Sequence, residues 1–497
     1  MKQQHYDVII IGGGLAGLCL ARQLKQTKVS FNILVIERNQ YPVPEAAHKV
    51  GESTVELGSH YLRVVLGLDD HLKECHLPKA GLRFFFSDGS NRFIERRLEM
   101  GGNDFPPAPS FQIDRGRLEN YLYETCCELG IDIIDGCNVL ACERSSPHHI
   151  IAKKAETKLV FTSGWVVDAS GRFGLLKRQY ELQKSNEHNV SASWFRIQKK
   201  IDIDDWYSDG WHKEVPKGLR YYSTNHLMGK GYWVWIIPLP SNYTSIGIVV
   251  DGSEHNFNEI NRFPLALKWL QKFEPQCAEI VDVNKEYLVD FHVMRNISYG
   301  CQQVFSDEKW CITGEAGLFL DPYYSPGTDF IAISNTFITQ LICAEQSGKP
   351  INLLAKQYQQ LYFKMYESSM GLYRDQYSLM GNCQQMIRKT IWDYAVYWGV
   401  TALLFTQGKL CDYEFIRSIR RYLQQIDEIS AKMQINFRKN KTSSDRVVQG
   451  NYLNTLKIPE LYSWQAELTK QYSEAELKNK IKENFLKIKH LSRSILS

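Results

Sequence analysis

The N-terminal segment changes its hydrophobic pattern three times within its first 36 residues. Residues 6–11 form a short apolar run that is typical of a buried strand, and residues 15–24 carry apolar side chains at helical spacing. A second apolar run covers residues 31–36. The order predicts a strand, a tight turn, a helix and a second strand.

The middle of the chain is richer in alternating and aromatic stretches. Residues 83–86 and 149–152 have the pattern of antiparallel strands, and a helical pattern begins near Arg115 between them. Two aromatic and β-branched runs at residues 233–238 and 245–250 predict a hairpin. We therefore expect an antiparallel sheet in this part of the chain.

The last third of the chain is predicted to be mostly helical. A strand is expected at residues 309–313, followed by a loop at 314–327 and a helix at 328–344. The chain ends in an amphipathic helix, which Ser473 and Glu476 precede as a capping box. The apolar stripe of this helix consists of Leu477, Ile481, Phe485, Ile488 and Leu491.

Composition and charge narrow the class of protein. The chain has 497 residues, of which 44% are hydrophobic and 23% charged, enough apolar material for a large core. A formal net charge of +4 is weak for this length and argues neither for a nucleic-acid groove nor for an acidic protein partner. Small-molecule chemistry is the class that remains.

No segment has the pattern of an export signal or of a membrane span. Residues 1–6 are polar and lead directly into a strand, which predicts a cytoplasmic location. The apolar stretch 392–405 contains Asp393 and is shorter than the roughly 20 residues that cross a bilayer. The twelve cysteines lack metal-ligand spacing, so we expect reduced thiols and no metal site.

The turn at residues 12–17 has the Gly-x-Gly-x-x-Gly spacing of a dinucleotide-binding loop. Glycines let the backbone approach a pyrophosphate, and the N-terminus of the following helix favours its negative charge. Glu37 ends the second strand twenty residues after Gly17, where an acidic residue binds a ribose. The predicted nucleotide-binding residues are Gly12, Gly14, Leu15, Ala16, Gly17, Glu37 and Arg38.

Two further segments identify the nucleotide by resemblance. Residues 167–172 (VDASGR) and 310–317 (WCITGEAG) resemble the FAD signatures of the flavin monooxygenase superfamily. The cofactor residues that this resemblance implies are Arg115, Asp168, Gly314 and Glu315. Glu315 replaces the usual aspartate, and capping a surface helix is an alternative role for Arg115. No second glycine fingerprint is present, so we expect reduced FAD to come from a separate flavin reductase.

Three motifs resemble the flavin-dependent halogenases more specifically. They are Gly51-Glu52-Ser53-Thr54, Leu77-Pro78-Lys79-Ala80-Gly81-Leu82-Arg83-Phe84 and Trp233-x-Trp235-x-Ile237-Pro238, in the order of that family. The resemblance spans roughly residues 5–345. It implies that Trp233 and Trp235 separate the substrate from the flavin, which only a small halide then reaches. A well-packed aromatic strand is the alternative interpretation of the two tryptophans.

Lys79 is the catalytic residue that the resemblance implies. The matching lysine of the family receives hypohalous acid, either as a haloamine or through a hydrogen bond that makes the halogen electrophilic. A solvated surface charge is the alternative role of a single lysine. Ser53 and Asp321 are implied as further residues at the cofactor.

The loop at residues 319–327 departs from the family. The family binds halide on backbone N–H groups of this loop, and Pro326 replaces one donor because proline has no N–H. Ser325 and Gly327 remain as halide donors, so we expect halide affinity to be weak or absent. Tyr324 stands where tryptophan halogenases carry a glutamate, which favours a phenol or a pyrrole over free tryptophan.

The resulting fold prediction is α/β. It has a Rossmann-like FAD-binding domain at residues 1–345, an inserted antiparallel substrate sheet at about 185–300, and a helical C-terminal region at 346–497. Aromatic residues of that region would roof a substrate pocket or fill the core: Tyr373, Tyr377, Trp392, Tyr394, Tyr397 and Trp398.

The function that the resemblance implies is halogenation of an electron-rich aromatic by reduced FAD, oxygen and halide, with the substrate free or tethered to a carrier protein. One alternative is an FAD-dependent monooxygenase or dehydrogenase that no longer halogenates. The other is a flavoprotein that binds FAD structurally and uses its lysine-rich final helix to dock an acidic carrier protein.

Overall fold

The computed structural model describes residues 4–207, 211, 213–439 and 452–496. The strands within these residues are β1 (Gln4–Ile11), β2 (Ile33–Ile36), β3 (Leu77–Lys79), β4 (Leu82–Phe86), β5 (Leu98–Gly101), β6 (Ser110–Gln112), β7 (Asp132–Ile134), β8 (Cys137–Glu143), β9 (His148–Lys154), β10 (Thr157–Asp168), β11 (Gln183–Lys184), β12 (Val190–Ile197), β13 (Thr224–Gly229), β14 (Tyr232–Pro238), β15 (Thr244–Asp251), β16 (Leu288–Met294), β17 (Gly300–Cys301), β18 (Trp310–Ile312) and β19 (Tyr452–Asn454).

Helices make up most of the C-terminal third of the described residues. They are α1 (Leu15–Thr27), α2 (Glu56–His60), α3 (Asp69–Cys75), α4 (Arg115–Glu128), α5 (Leu175–Gln179), α6 (Phe263–Phe273), α7 (Pro275–Val283), α8 (Gly327–Gln346), α9 (Asn352–Met370), α10 (Cys383–Val396), α11 (Leu403–Thr406), α12 (Tyr413–Lys439), α13 (Pro459–Glu467) and α14 (Glu474–Leu496).

The first sheet is the Rossmann-like core. Its strand order is β7-β2-β1-β10-β9-β8, with β18 beside β10. β1 pairs in parallel with β2 and β10, while β8, β9 and β10 pair antiparallel. The apolar runs predicted as the first two strands are buried here, and α1 follows the glycine turn as expected. The predicted α/β class is confirmed.

The second sheet has the order β16-β12-β15-β14-β13-β4-β5-β19. The predicted hairpin is present as β14 and β15, which pair antiparallel. Two other pairings are parallel, β4 with β13 and β5 with β19. The sheet therefore extends beyond the interval 185–300, because strands at 82–101 and 452–454 join it, and local periodicity does not encode such distant partners.

The C-terminal helices pack against one another, with α10 in contact with α12, α13 and α14. The capping box of α14 forms as predicted, with the Ser473 N–H donating to Glu476 Oε2 over 2.8 Å and the Glu476 N–H donating to Ser473 Oγ over 3.3 Å. Between α10 and α11, residues Tyr397–Ala402 form a π-helical turn. Within the described residues, no helix combines the length and apolarity that crossing a membrane requires.

Candidate active site

The glycine turn brings β1, α1 and the end of β10 into close contact. Gly12 has φ +106°, and a Cβ there would lie 2.4 Å from the carbonyl oxygen of Ala169. A Cβ on Gly17 would lie 1.9 Å from the carbonyl oxygen of Gly12. Glycine is therefore required at both positions, and the N-terminus of α1 stays open to a pyrophosphate.

Cations surround the open end of this turn. Arg115 donates to the Val50 carbonyl over 2.9 Å and to Glu119 over 2.5 Å, while its buried Nε has no partner among the described residues. Lys49 donates to Glu119 over 2.9 Å and lies close to Gly14. Burial opposes ionisation of Glu119, but Arg115 and Lys49 hold the pKa of this carboxyl well below its usual range. An unpartnered guanidinium N–H beside the turn fits a pyrophosphate.

Sequence reasoning missed Lys49. The only signal was its position two residues before the Gly51-Glu52-Ser53 motif. Arg172, which pairs with Glu315 over 2.9 Å, lies within the VDASGR motif, and the motif alone does not assign it a role.

Glu37 lies at the end of β2 beside the turn. Its Oε2 accepts from the Gly13 N–H over 2.6 Å, and its Oε1 accepts from both the main chain and the side chain of Asn39. The neighbouring Arg38 is exposed. This position suits binding of a ribose hydroxyl by Glu37, whereas the role of Arg38 stays a prediction.

Asp168 shapes the turn after β10. Its carboxylate accepts from the Ser170 N–H over 2.9 Å and from the Leu176 N–H over 2.7 Å, and it is fully buried. Gly314 and Glu315 instead line the cavity described next. Direct contact of Asp168 with the cofactor stays a prediction, since the backbone occupies its oxygens.

Two cavities meet at the loop before α8. The flavin-side cavity is lined by Leu15, Gly51, Ser53, Arg115, Arg172, Trp233, Trp235, Gly314, Glu315, Asp321, Ser325 and Gly327 among others. The substrate-side cavity is lined by Glu56, Lys79, Tyr324, Asp329, Tyr373, Asp393, Tyr394, Tyr397 and Trp398 among others. Pro326 and Phe330 line both cavities and so form part of the partition.

Lys79 lies at the end of β3 and is 1% exposed. Its Nζ donates to Ser53 Oγ over 2.8 Å and to the Thr54 carbonyl over 2.7 Å. Burial lowers the pKa of Lys79 to about 7, although the nearby carboxylates of Glu56 and Asp329 act in the opposite direction. A buried amine that loses its proton near neutral pH is chemically distinct from a solvated surface lysine.

Ser53 links Lys79 to the other cavity. The Ser53 hydroxyl lines the flavin-side cavity and also accepts from Ser325 Oγ over 3.2 Å. Lys79, Ser53 and Ser325 therefore form one hydrogen-bonded path across the partition.

Asp329 is a buried carboxylate that sequence reasoning missed. It accepts from the Gly58 N–H over 2.7 Å and from the Tyr397 hydroxyl over 2.7 Å. Burial raises its pKa to about 7. Its place in the first turn of α8, directly after the halide loop, was the available signal.

One of the two predicted halide donors is already occupied by a hydrogen bond within the loop. Ser325 has φ +56°, and its N–H donates to the Pro322 carbonyl over 2.9 Å. Gly327 begins α8, and its Cβ position is open space. Of the predicted pair, Gly327 is the backbone donor at a helix N-terminus, which suits an anion.

The two tryptophans lie on one face of β14. Their ring centroids are 5.7 Å apart, and both line the flavin-side cavity. Trp233 Nε1 donates to the Tyr377 hydroxyl over 3.0 Å, and that hydroxyl donates to Asp321 Oδ2 over 2.7 Å. Tyr323 packs against Trp233 at 5.3 Å, so the aromatic wall continues into the loop.

The aromatic residues of the helical region divide into three groups. Tyr373, Tyr394, Tyr397 and Trp398 line the substrate-side cavity. Tyr377 bonds to the wall, and Trp392 is fully buried in the core.

Comparison with known proteins agrees with this geometry. Residues 5–239 match the family model of an FAD-binding domain. The chain is 28% identical over 368 residues to a flavin-dependent halogenase of Dictyostelium discoideum, a match that covers 68% of this chain and 60% of that relative. It is 27% identical over 354 residues to a 1H-pyrrole-2-carbonyl peptidyl-carrier-protein chlorinase of Pseudomonas fluorescens, covering 66% and 73% of the two chains.

The fold is also that of a solved halogenase. The crystal structure of halogenase PltM in complex with phloroglucinol and FAD matches with a TM-score of 0.67 at 15% identity, over 99% of both chains. The fold, the FAD-binding domain and these relatives lead to one conclusion: residues 5–239 match an FAD-binding domain, and the chain is similar to the flavin-dependent halogenases in sequence and in fold.

Proposed function

We propose that this protein halogenates an electron-rich aromatic, a phenol or a pyrrole, by means of Lys79. Reduced FAD, dioxygen, a halide ion and a proton give oxidised FAD, hypohalous acid and water. The acid then replaces a ring hydrogen by halogen and leaves a second water. A separate flavin reductase supplies the reduced FAD, which makes the cytoplasm the expected location.

One observation carries the proposal. Lys79 lines the substrate-side cavity, whereas Ser53, to which it donates over 2.8 Å, lines the flavin-side cavity. A substrate in the first cavity is separated from the second by Pro326 and Phe330. Such a partition suits a small diffusing oxidant and disfavours direct oxygen transfer to the ring.

The residues of the glycine turn and of the flavin-side cavity fit FAD. Gly12 and Gly17 admit the pyrophosphate, Arg115 offers it an unpartnered N–H, and Glu37 would accept from a ribose. FAD supplies the two electrons that reduce dioxygen when the cofactor is bound and reduced.

Lys79 holds the oxidised halogen at the substrate. Its amine has three hydrogen-bonding positions, and Ser53 and Thr54 occupy two of them. The third is available to hypohalous acid. Because the pKa of Lys79 is lowered to about 7, both its neutral and its charged form are present at neutral pH.

The substrate class follows from what is absent at position 324. Tyr324 itself carries no negative charge where the tryptophan halogenases have a glutamate, which favours a ring that is activated by its own oxygen or nitrogen. The pyrrole substrate in the printed name of one relative and the phloroglucinol bound to PltM support this choice. Whether a carrier protein presents the substrate is decided by offering both forms.

The test combines the protein with FAD, a flavin reductase, NADH, air and bromide or chloride. Phenols and pyrroles are offered free and carrier-bound, and products are read by their halogen isotope patterns. We expect halogenated product from the parent and at least about 100-fold less from Lys79→Ala, with NADH oxidation unchanged. The control is Lys356→Ala, an exposed lysine on α9. Oxygenated product that forms without halide would contradict the proposal and identify a monooxygenase.

A further inference from the structure

A buried acid lies at the substrate-side cavity and has no part in the steps above. Asp393, on α10, is 5% exposed and lines that cavity. Its Oδ2 accepts from the Tyr324 hydroxyl over 2.9 Å and from Lys389 Nζ over 2.8 Å. Its Oδ1 accepts from Gln434 Nε2 over 2.8 Å.

The carboxylate retains capacity for one more donor. The two oxygens of a carboxylate accept about four hydrogen bonds, and the described residues provide three. Both donors to Oδ2 are fixed, whereas Oδ1 has one partner. An acceptor in a cavity wall with an open position suits a ligand that carries O–H or N–H.

The charge is held in place by residues that are themselves buried. Lys389 is 1% exposed and also donates to Gln434 Oε1 over 3.0 Å. A buried ion pair gives little net stability, because desolvation of both charges offsets their attraction. Retaining this pair beside a cavity therefore calls for an additional explanation.

A second polar group of the same cavity has no partner. The indole N–H of Trp398 is buried and unpartnered within the described residues, and Trp398 is 7% exposed. Trp398 belongs to the π-helical turn Tyr397–Ala402, a feature that is frequent at functional sites. The cavity thus combines an acceptor, Asp393, with a free donor, Trp398.

We propose that Asp393 and Trp398 form the specificity site for an aromatic substrate with at least two ring oxygens. Asp393 accepts from one ring hydroxyl, and Trp398 donates to another oxygen. Asp393 thereby brings a carboxylate from the C-terminal helices to the side of Tyr324, and its hydrogen bond increases the electron density of the ring. The inference rests on the proposed function and adds the substrate class.

The experiment measures binding and needs no turnover. The FAD-loaded protein is titrated calorimetrically with 1,3,5-trihydroxybenzene and with its trimethyl ether, which has the same oxygens but no O–H. The parent is expected to prefer the phenol at least about tenfold, the usual value of a hydrogen bond to a charged group. Asp393→Asn replaces one acceptor oxygen of the carboxylate by an NH2 group, which should reduce this preference.

A double variant separates recognition from folding. Lys389→Met with Asp393→Leu removes both charges together, which leaves no unpaired buried ion. We expect the phenol to bind no better than the ether in this variant. The matched control is Lys364→Met with Asp427→Leu, which removes the ion pair of 2.5 Å that also lines the cavity but is half exposed. This control should keep the preference.

Two results would overturn the inference: a parent that binds phenol and ether equally, or a folded double variant that keeps the parental preference. Tyr324→Phe removes one donor from Asp393 and should keep the preference, which excludes a general effect of disturbing the cluster. A parent that prefers the phenol but yields no halogenated product would contradict the proposed function alone.

Discussion

The flavin-side and substrate-side cavities are built from different kinds of sequence. The flavin side is assembled from short segments around glycines, and its cations, Arg115 and Arg172, pair with the carboxylates of Glu119 and Glu315. The substrate side is assembled from helices far apart in the chain, and it buries Lys79 and Asp329, each with its pKa moved to about 7. The flavin side suits an anion that is always charged. The substrate side holds groups whose charge changes near neutral pH.

This difference has a physical cause. A pyrophosphate needs close backbone approach and fixed positive charge, which only a few residue types at fixed spacing provide. A reactive amine needs the opposite, a dry environment in which the neutral form is stable.

The largest effect is expected at the glycine turn. Gly17→Ala places a Cβ 1.9 Å from the Gly12 carbonyl, so the turn has to move away from the pyrophosphate. We expect FAD affinity to fall on the order of 100-fold, since such overpacking costs about 3 kcal/mol. FAD content is measured by absorbance after gel filtration. Lys25→Ala, in the last turn of the same helix, is the control, and FAD retained by Gly17→Ala would break the comparison.

An intermediate effect is expected from the buried amine. The pKa of Lys79 is about 7 in the folded protein against 10.5 in an unfolded chain, so between these values the unfolded chain binds more protons. The free energy of unfolding of the parent should therefore rise with pH, by about 1.4 kcal/mol per unit from this group. Lys79→Met lacks this slope.

Urea unfolding at pH 6.5, 8 and 9.5 measures this dependence of the free energy of unfolding on pH. The stability of Lys79→Met relative to the parent should be highest at pH 6.5 and should decline towards pH 9.5. Lys356→Met, at an exposed position, should follow the parent at every pH. Parallel curves for Lys79→Met and the parent would mean that the amine is solvated.

The smallest effect is expected at the halide loop. Pro326 is in the helical region at φ −77°, which alanine adopts equally well. Pro326→Ala adds one N–H next to Gly327, and one further hydrogen bond of about 1 kcal/mol should lower the half-saturating bromide concentration about fivefold. Pro322→Ala adds an N–H elsewhere in the loop and is the control. An unchanged bromide dependence would place the halide outside this loop.

The fold could be predicted where a local pattern decides it. The strand, turn and helix at residues 4–27, the hairpin of β14 and β15, and the capping box of α14 all follow from neighbours in sequence. The parallel pairing of β5 with β19 could not, because it joins residues about 350 positions apart. The hydrophobic pattern of neither strand predicts which strand it pairs with.

The candidate site also contains residues that local motifs predict and residues that only tertiary contacts bring together. Lys79, Ser53 and the loop at residue 325 were predicted from motifs and lie within one hydrogen-bonded path. Asp329 and Asp393 were not predicted as site residues, because an acidic residue within a helix carries no signal until tertiary contacts bury it. Their roles arise from packing against α2 and α12 rather than from spacing.

β19 also bears on how this protein could be recombined with its relatives. The Tyr452 hydroxyl donates to the Gly101 carbonyl over 2.9 Å, and the segment that follows, at Thr455 and Leu456, lines the substrate-side cavity beside Gly102. A chimera that exchanges everything after residue 346 would therefore replace an edge strand of the sheet that carries the two tryptophans. The segment after residue 346, which lines the substrate-side cavity, therefore cannot be exchanged on its own. An exchange that is meant to bring a new substrate range also has to match β5 to the incoming strand.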